Sequence, residues 1–131
     1  MAAYDKTILS AGTRLRAALE PVVAAHGARI FPVVSAVDEQ LPFVTYFRAG
    51  TSETGVKPPG AGPRETVIQF QVFSAGYGEG LEIAEEMLEA IDGFTDDRVR
   101  YCAMMDSSEN FDGAVPAYVQ IMTFKVKTFN N

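Results

Sequence analysis

One histidine, one cysteine and a glycine-punctuated turn are the features of this 131-residue chain whose residue types invite chemistry. General acid–base work by His26 needs a carboxylate or a nucleophile within reach, and no sequence spacing ties the residue to one. The simpler expectation is electrostatic. His26 closes a predicted helix just before Gly27, where a positive side chain complements the negative end of the helix dipole. Cys102 alternates with Tyr101 and Ala103 in a predicted strand, with only Arg100 as a nearby cation. A thiol in that setting behaves as a small hydrophobe, not as a thiolate nucleophile. With one Cys and one His, carboxylates would have to hold any metal, and Asp96-Asp97 and the Asp106 to Asp112 stretch lack the ligand pattern of a calcium loop.

Gly76-Tyr77-Gly78-Glu79-Gly80 stands between a predicted strand and a predicted helix. Backbone amides at such a point attract anions, and glycines let a phosphate approach. The spacing is GxGxG and not GxGxxG, no Lys follows, and Glu79 and Glu82 put negative charge where a phosphate would sit. A strand-to-helix turn is therefore expected. Glu79, Glu82, Glu86 and Glu89 recur at spacings of three and four, which places them on one outer helix face without a Lys or Arg to offset them. That face is read either as solvated or as a contact for a basic surface. Neither a catalytic constellation, a cofactor site nor a metal site is expected.

These residues must be positioned by elements legible in the hydrophobic pattern. Tyr4, Ile8, Ala11, Leu15, Leu19 and Val22 form the stripe of an amphipathic helix reaching about Ala25, with a kink or restart expected at Pro21 and a stop at Gly27. Arg29 to Val34, interrupted by Pro32, reads as a short edge strand. Phe43 to Arg48 reads as a strand with Phe43, Thr45 and Phe47 on one face. Gly50 to Pro63, with four glycines and three prolines, reads as a long mobile loop. Thr66 to Phe73 is the clearest strand: Ile68, Phe70 and Val72 point one way, Gln69 and Gln71 the other. A second helix is expected from Leu81 to Asp92, ended by Gly93. Strands at Arg98 to Met105 and Ala117 to Lys127 follow, joined by a polar loop from Asp106 to Pro116. The pattern predicts one α+β domain over residues 1–131, a mostly antiparallel four- to five-stranded sheet with two helices on one face.

Composition narrows the function. A chain this long buries roughly two-thirds of its unfolded surface, enough for a core without staples, and a lone cysteine excludes an internal disulfide. The net charge of −6 arises from 17 acidic and 11 basic residues without a basic cluster, which disfavours nucleic-acid binding. No apolar run approaches the ~18 residues of a membrane span. The first ten residues lack the pattern of a signal peptide, so a cytoplasmic site of synthesis and folding is expected.

The order of elements resembles the tail-completion (tail-terminator) family of tailed phages. The resemblance is carried by Arg29-Ile30-Phe31-Pro32, by Leu41-Pro42-Phe43-Val44-Thr45-Tyr46, by Gln69-Phe70-Gln71-Val72-Phe73, by the Ala- and Glu-rich helix from Leu81 to Ile91, and by the closing run Ile121-Met122-Thr123-Phe124-Lys125-Val126. It implies a non-catalytic virion protein, assembled in the host cytoplasm, that forms a homo-oligomeric ring, commonly of six copies. Such a ring caps the tail tube and joins it to the head, with tube and head-connector proteins as partners. Candidate subunit or tube contacts are Thr51, Ser52, Glu53, Val56, Lys57, Pro58 and Pro59 in the loop, and Glu82, Glu86 and Glu89 on the helix. The rival readings are a module of similar fold that binds a small molecule or peptide through the loop, and an enzyme whose site is completed across a subunit interface.

Overall fold

A computed structural model describes residues 7–33, 40–53 and 64–128. The elements are α1 (Thr7–Ala24), β1 (Arg29–Pro32), β2 (Phe43–Glu53), β3 (Arg64–Ser74), α2 (Tyr77–Ile91), β4 (Val99–Asp112) and β5 (Ala117–Thr128). The five strands form one sheet in the order β1-β2-β3-β5-β4, and only the β1–β2 pair is parallel. The α+β expectation holds.

Helix α1 forms because Ala11, Leu15, Leu19 and Val23 recur every fourth residue, and all four are buried. It continues through Pro21 to Ala24 as one helix, without the restart that the proline allows for. Pro21 and Ala17, the residue whose carbonyl loses its donor, are both exposed, so water can satisfy the orphan group. The helix ends where Gly27 adopts φ +74° and the Ala28 amide turns back to the Val23 carbonyl at 3.0 Å.

Alternation along β3 buries Thr66, Ile68, Phe70, Val72 and Ser74, and along β5 it buries Met122, Phe124, Val126 and Thr128. These residues meet α1 and α2 in one core, with the Phe70 ring edge-on to Phe124 at 5.9 Å and tilted against Tyr46 at 5.7 Å. Helix α2 starts at Tyr77, four residues before the expected start, so Gly78 and Gly80 lie within its first turns. Gly80 is there for close approach: a Cβ on it would run into the Ser74 hydroxyl. Gly80→Ala would stabilise an open helix by about 1 kcal/mol. Here overpacking should reverse the sign, to a loss of about 1–2 kcal/mol, and a second change, Ser74→Ala, should remove most of that penalty. Urea titration of the single and double variants reads both effects.

Two loop boundaries are corrected. Gly50 to Glu53 belong to β2, which resumes pairing after a bulge between Arg48 and Gly50 and runs opposite Val67 to Arg64. The expected loop from Gly50 is thus strand at its start, and its remainder, residues 54–63, lies outside the described residues. Asp106 to Asp112 also belong to a strand. Strand β4 pairs with β5 all the way to Asp112 opposite Ala117, leaving only a short turn through Gly113 and Pro116. Both stretches lack apolar alternation, and their strand state comes from backbone ladder bonds to a strongly patterned neighbour.

Candidate assembly interface

The sequence-derived contact residues fall into separate places. Thr51, Ser52 and Glu53 occupy the end of β2, in register with Thr66, Glu65 and Arg64, and so are strand positions, not loop positions. Val56, Lys57, Pro58 and Pro59 lie outside the described residues. Glu82, Glu86 and Glu89 are exposed on α2, as their spacing predicts. Two of them are not purely solvated, however. His26 Nε2 stands 2.9 Å from Glu86 Oε1, and Nδ1 stands 3.7 Å from Glu82 Oε1. The histidine, just past the end of α1, thus also bridges to the second helix. One His and two Glu make a donor set suited to a divalent cation. The two ring nitrogens face different carboxylates, though, and a single cation would use only one of them. The arrangement is that of a polar strap between α1 and α2, a hydrogen bond of about 1 kcal/mol.

Cys102 is fully buried on the helix face of β4. Its thiol is pushed up to about 12, first by burial and then by the charge of Asp92. At pH 8 a group so shifted is ~1,000-fold less ionised than an ordinary thiol, so alkylation of the native chain should be slower than that of the urea-unfolded chain by about that factor or more. Timed iodoacetamide labelling followed by mass measurement checks this.

A group of exposed apolar residues, Phe111, Val115, Tyr118, Tyr77 and Leu81, lies at the far end of the β4–β5 hairpin and the start of α2. Tyr118 lies edge-on to both Phe111 at 5.2 Å and Tyr77 at 5.7 Å, and Phe111 is 52% exposed. Glu109 is held among them, accepting from the Tyr77 hydroxyl at 3.1 Å and from Gln120 Nε2 at 3.1 Å. The Tyr77 bond comes first in holding the Glu109 carboxyl below the usual range, and the same bond raises the Tyr77 hydroxyl. At the turn, Asp112 Oδ1 accepts from the Ala114 and Val115 amides at 2.9 and 3.3 Å, which fixes the tip.

Strand β4 is also an outer edge of the sheet. Its first half is closed: Gly93 N–H donates to the Cys102 carbonyl at 2.6 Å, and the Asp92 carboxylate accepts from the Met104 amide at 3.1 Å. From Asp106 to Asp112 no further strand among the described residues covers the edge. A long, open edge is an invitation to pairing, normally blunted by charge or cover. Here Asp106, Glu109 and Asp112 supply the charge.

The sheet face away from the helices carries a neutral ladder. Thr45 donates to Gln71 at 3.4 Å, Gln71 to Gln69 at 3.2 Å, and Gln69 to Thr123 at 3.5 Å. Phe43 and Phe73 stack at 4.7 Å at one end of this face, and Lys125 and Lys127 flank Glu65 at the other. The hairpin edge is invisible as a site in the sequence, and from Asp106 to Asp112 its outer side meets no further strand among the described residues.

No family model matches the sequence, and no curated protein matches it. In three dimensions the chain is similar to a solved chain described as "Virion of native gene transfer agent (GTA) particle", with a TM-score of 0.64 at 11% identity. The likeness covers 95% of this chain and 93% of that one, so what the two share is a fold over their whole length.

Proposed function

We propose that this chain is a non-catalytic structural component of a virion, acting by self-association into a ring that closes a tail tube and joins it to the head. The observation that carries the reading is the whole-length likeness in fold to a chain of a virion particle. The order of motifs around Arg29-Ile30-Phe31-Pro32 and Gln69-Phe70-Gln71-Val72-Phe73 points the same way. The open β4 edge supports it, because identical copies close a ring only through two different patches that meet head to tail. The reactive side chains are used structurally: Cys102 is buried with its thiol pushed up, and His26 is strapped to two carboxylates. A net charge of −6 suits a bore through which DNA passes without sticking. The partners on this reading are further copies, together with tube and head-connector proteins in the neck of the particle.

The test is direct. Purified protein, alone and added to tail tubes, should give annuli of one size by electron microscopy and a matching mass by sedimentation. A chain that stays monomeric under both conditions while binding a small molecule or peptide tightly would replace this reading with that of a ligand-binding module.

A further inference from the structure

Charge is divided unevenly across the sheet. Between Tyr77 and Asp112, the stretch that builds α2 and the β4 edge, stand eleven carboxylates and two arginines. The elements of the opposite edge, α1, β1 and β2, carry Arg14, Arg16, Arg29 and Arg48 against Glu20 and Glu53. Two copies meeting β4 to β4 would set Asp106, Glu109 and Asp112 against themselves, whereas β4 meeting the β1 side brings opposite charges together.

The β1 side also has a place to receive a protrusion. A groove of about 340 Å³ runs between α1 and β1, lined by Arg16, Glu20, Val23, Arg29, Ile30 and Phe31 among others. Its apolar part is formed by Val23, Ile30 and Phe31, and Arg29 lies over the Phe31 ring at 5.1 Å. Among the described residues the buried Arg16 Nε has no hydrogen-bond acceptor, and Glu20 Oε1 stands 4.0 Å from it. A buried donor left unmatched is costly, and an incoming carboxylate would satisfy it. The shape and charge fit a segment that carries an aromatic ring beside an acid, and this chain presents one at its own hairpin tip, Phe111-Asp112 with Glu109 behind it.

Register then supplies the geometry. Arg29 is opposite Phe43, Phe43 opposite Phe73, Phe73 opposite Val119, and Val119 opposite Asn110. The groove and the tip therefore stand in one row of the sheet, at its two opposite edges. Four strand spacings, about 19 Å, separate them, so the tip does not fold back into its own groove. Rotation of a second copy about an axis along the strands brings one copy's tip to another's groove at matching height, and repetition of that step closes a ring.

We propose that the β4–β5 hairpin tip of one copy seats in the α1–β1 groove of a second copy, its carboxylates meeting Arg16 and Arg29 and the Phe111 ring packing against Phe31. This inference rests on the self-assembly reading and specifies its contact. The test uses the full chain with Cys102→Ala, so that only introduced thiols react, and places Ala114→Cys at the tip and Ala24→Cys at the groove, both at exposed positions. On mild oxidation the double variant should give a reducible ladder of dimers, trimers and larger species up to one limiting size. Each single variant should give no species beyond a dimer. Independently, Arg16→Glu should weaken self-association of the otherwise unmodified chain by about tenfold or more.

If the unmodified chain self-associates but the double variant gives no ladder, the contact is wrong and the assembly reading stands. A dimer trapped by Ala114→Cys alone, with no ladder from the pair, would mean that tips meet tips and would likewise overturn it. If the unmodified chain stays monomeric both alone and on tail tubes, the assembly reading itself fails and this contact with it.

Discussion

Phe70→Ala is expected to lower the folding free energy by about 4 kcal/mol, the upper part of what a single truncation does. Phe70 sits on the central strand β3, is fully buried, and is wedged between Tyr46 and Phe124 beneath the two helices. Removing the ring forfeits its transfer from water and leaves a void that the β3 ladder, hydrogen-bonded on both sides, cannot close by moving. A domain of this kind has only about 5–15 kcal/mol in total, so the variant should melt at a far lower temperature or lose its native state outright. Calorimetry or urea unfolding followed by circular dichroism measures it. Phe111→Ala makes the contrast. With half its surface already in water, Phe111 should contribute less than about 0.5 kcal/mol to folding, so its loss should show in assembly and not in melting.

Asp96→Ala is the second large effect expected, about 2–3 kcal/mol, from three charge-assisted bonds lost at once. Asp96 Oδ1 accepts from the Val99 amide at 2.6 Å and the Arg98 amide at 2.8 Å, and Oδ2 accepts from Arg14 of α1 at 2.7 Å. One carboxylate thus holds the entry to β4 and ties it to the first helix. Burial pushes this carboxyl up, but the two amides and the guanidinium together outweigh burial and hold it below the usual range. A depressed folded value means that the contribution is complete above the unfolded carboxylate value of about 4 and is lost as pH falls through the folded one. The stability difference between the unmodified chain and Asp96→Asn should therefore be largest near neutrality and shrink on acidification below about pH 4. A difference that stays constant from pH 7 to pH 2 would show that Asp96 acts through its amide bonds in both protonation states. Paired urea titrations across that range decide it.

Local patterning made much of this fold legible. Ala11, Leu15 and Leu19 announce the buried stripe of α1, Ile68, Phe70 and Val72 announce the covered face of β3, and Gly27 and Gly93 mark helix ends with positive φ. Burial on one face imposes a period on side chains, and a period can be read without knowing what covers it. The candidate interface was not legible in the same way. Asp106 to Asp112 form an edge strand exposed along nearly its whole length, and a strand buried on neither face carries no period. Gly50 to Glu53 are likewise strand, held by backbone pairing with Val67 to Arg64.

The sequence by itself determined the α+β class, much of the core and the acidic balance, because these follow from residue types and local periodicity. Only the tertiary structure decided that His26 meets Glu86 across 60 residues of chain, that the β4 edge stays open past Met104, and that Arg29 and Asn110 share a row at opposite edges. Those facts depend on strand order and register, which follow from the packing of the whole chain and leave no mark on any local stretch of it.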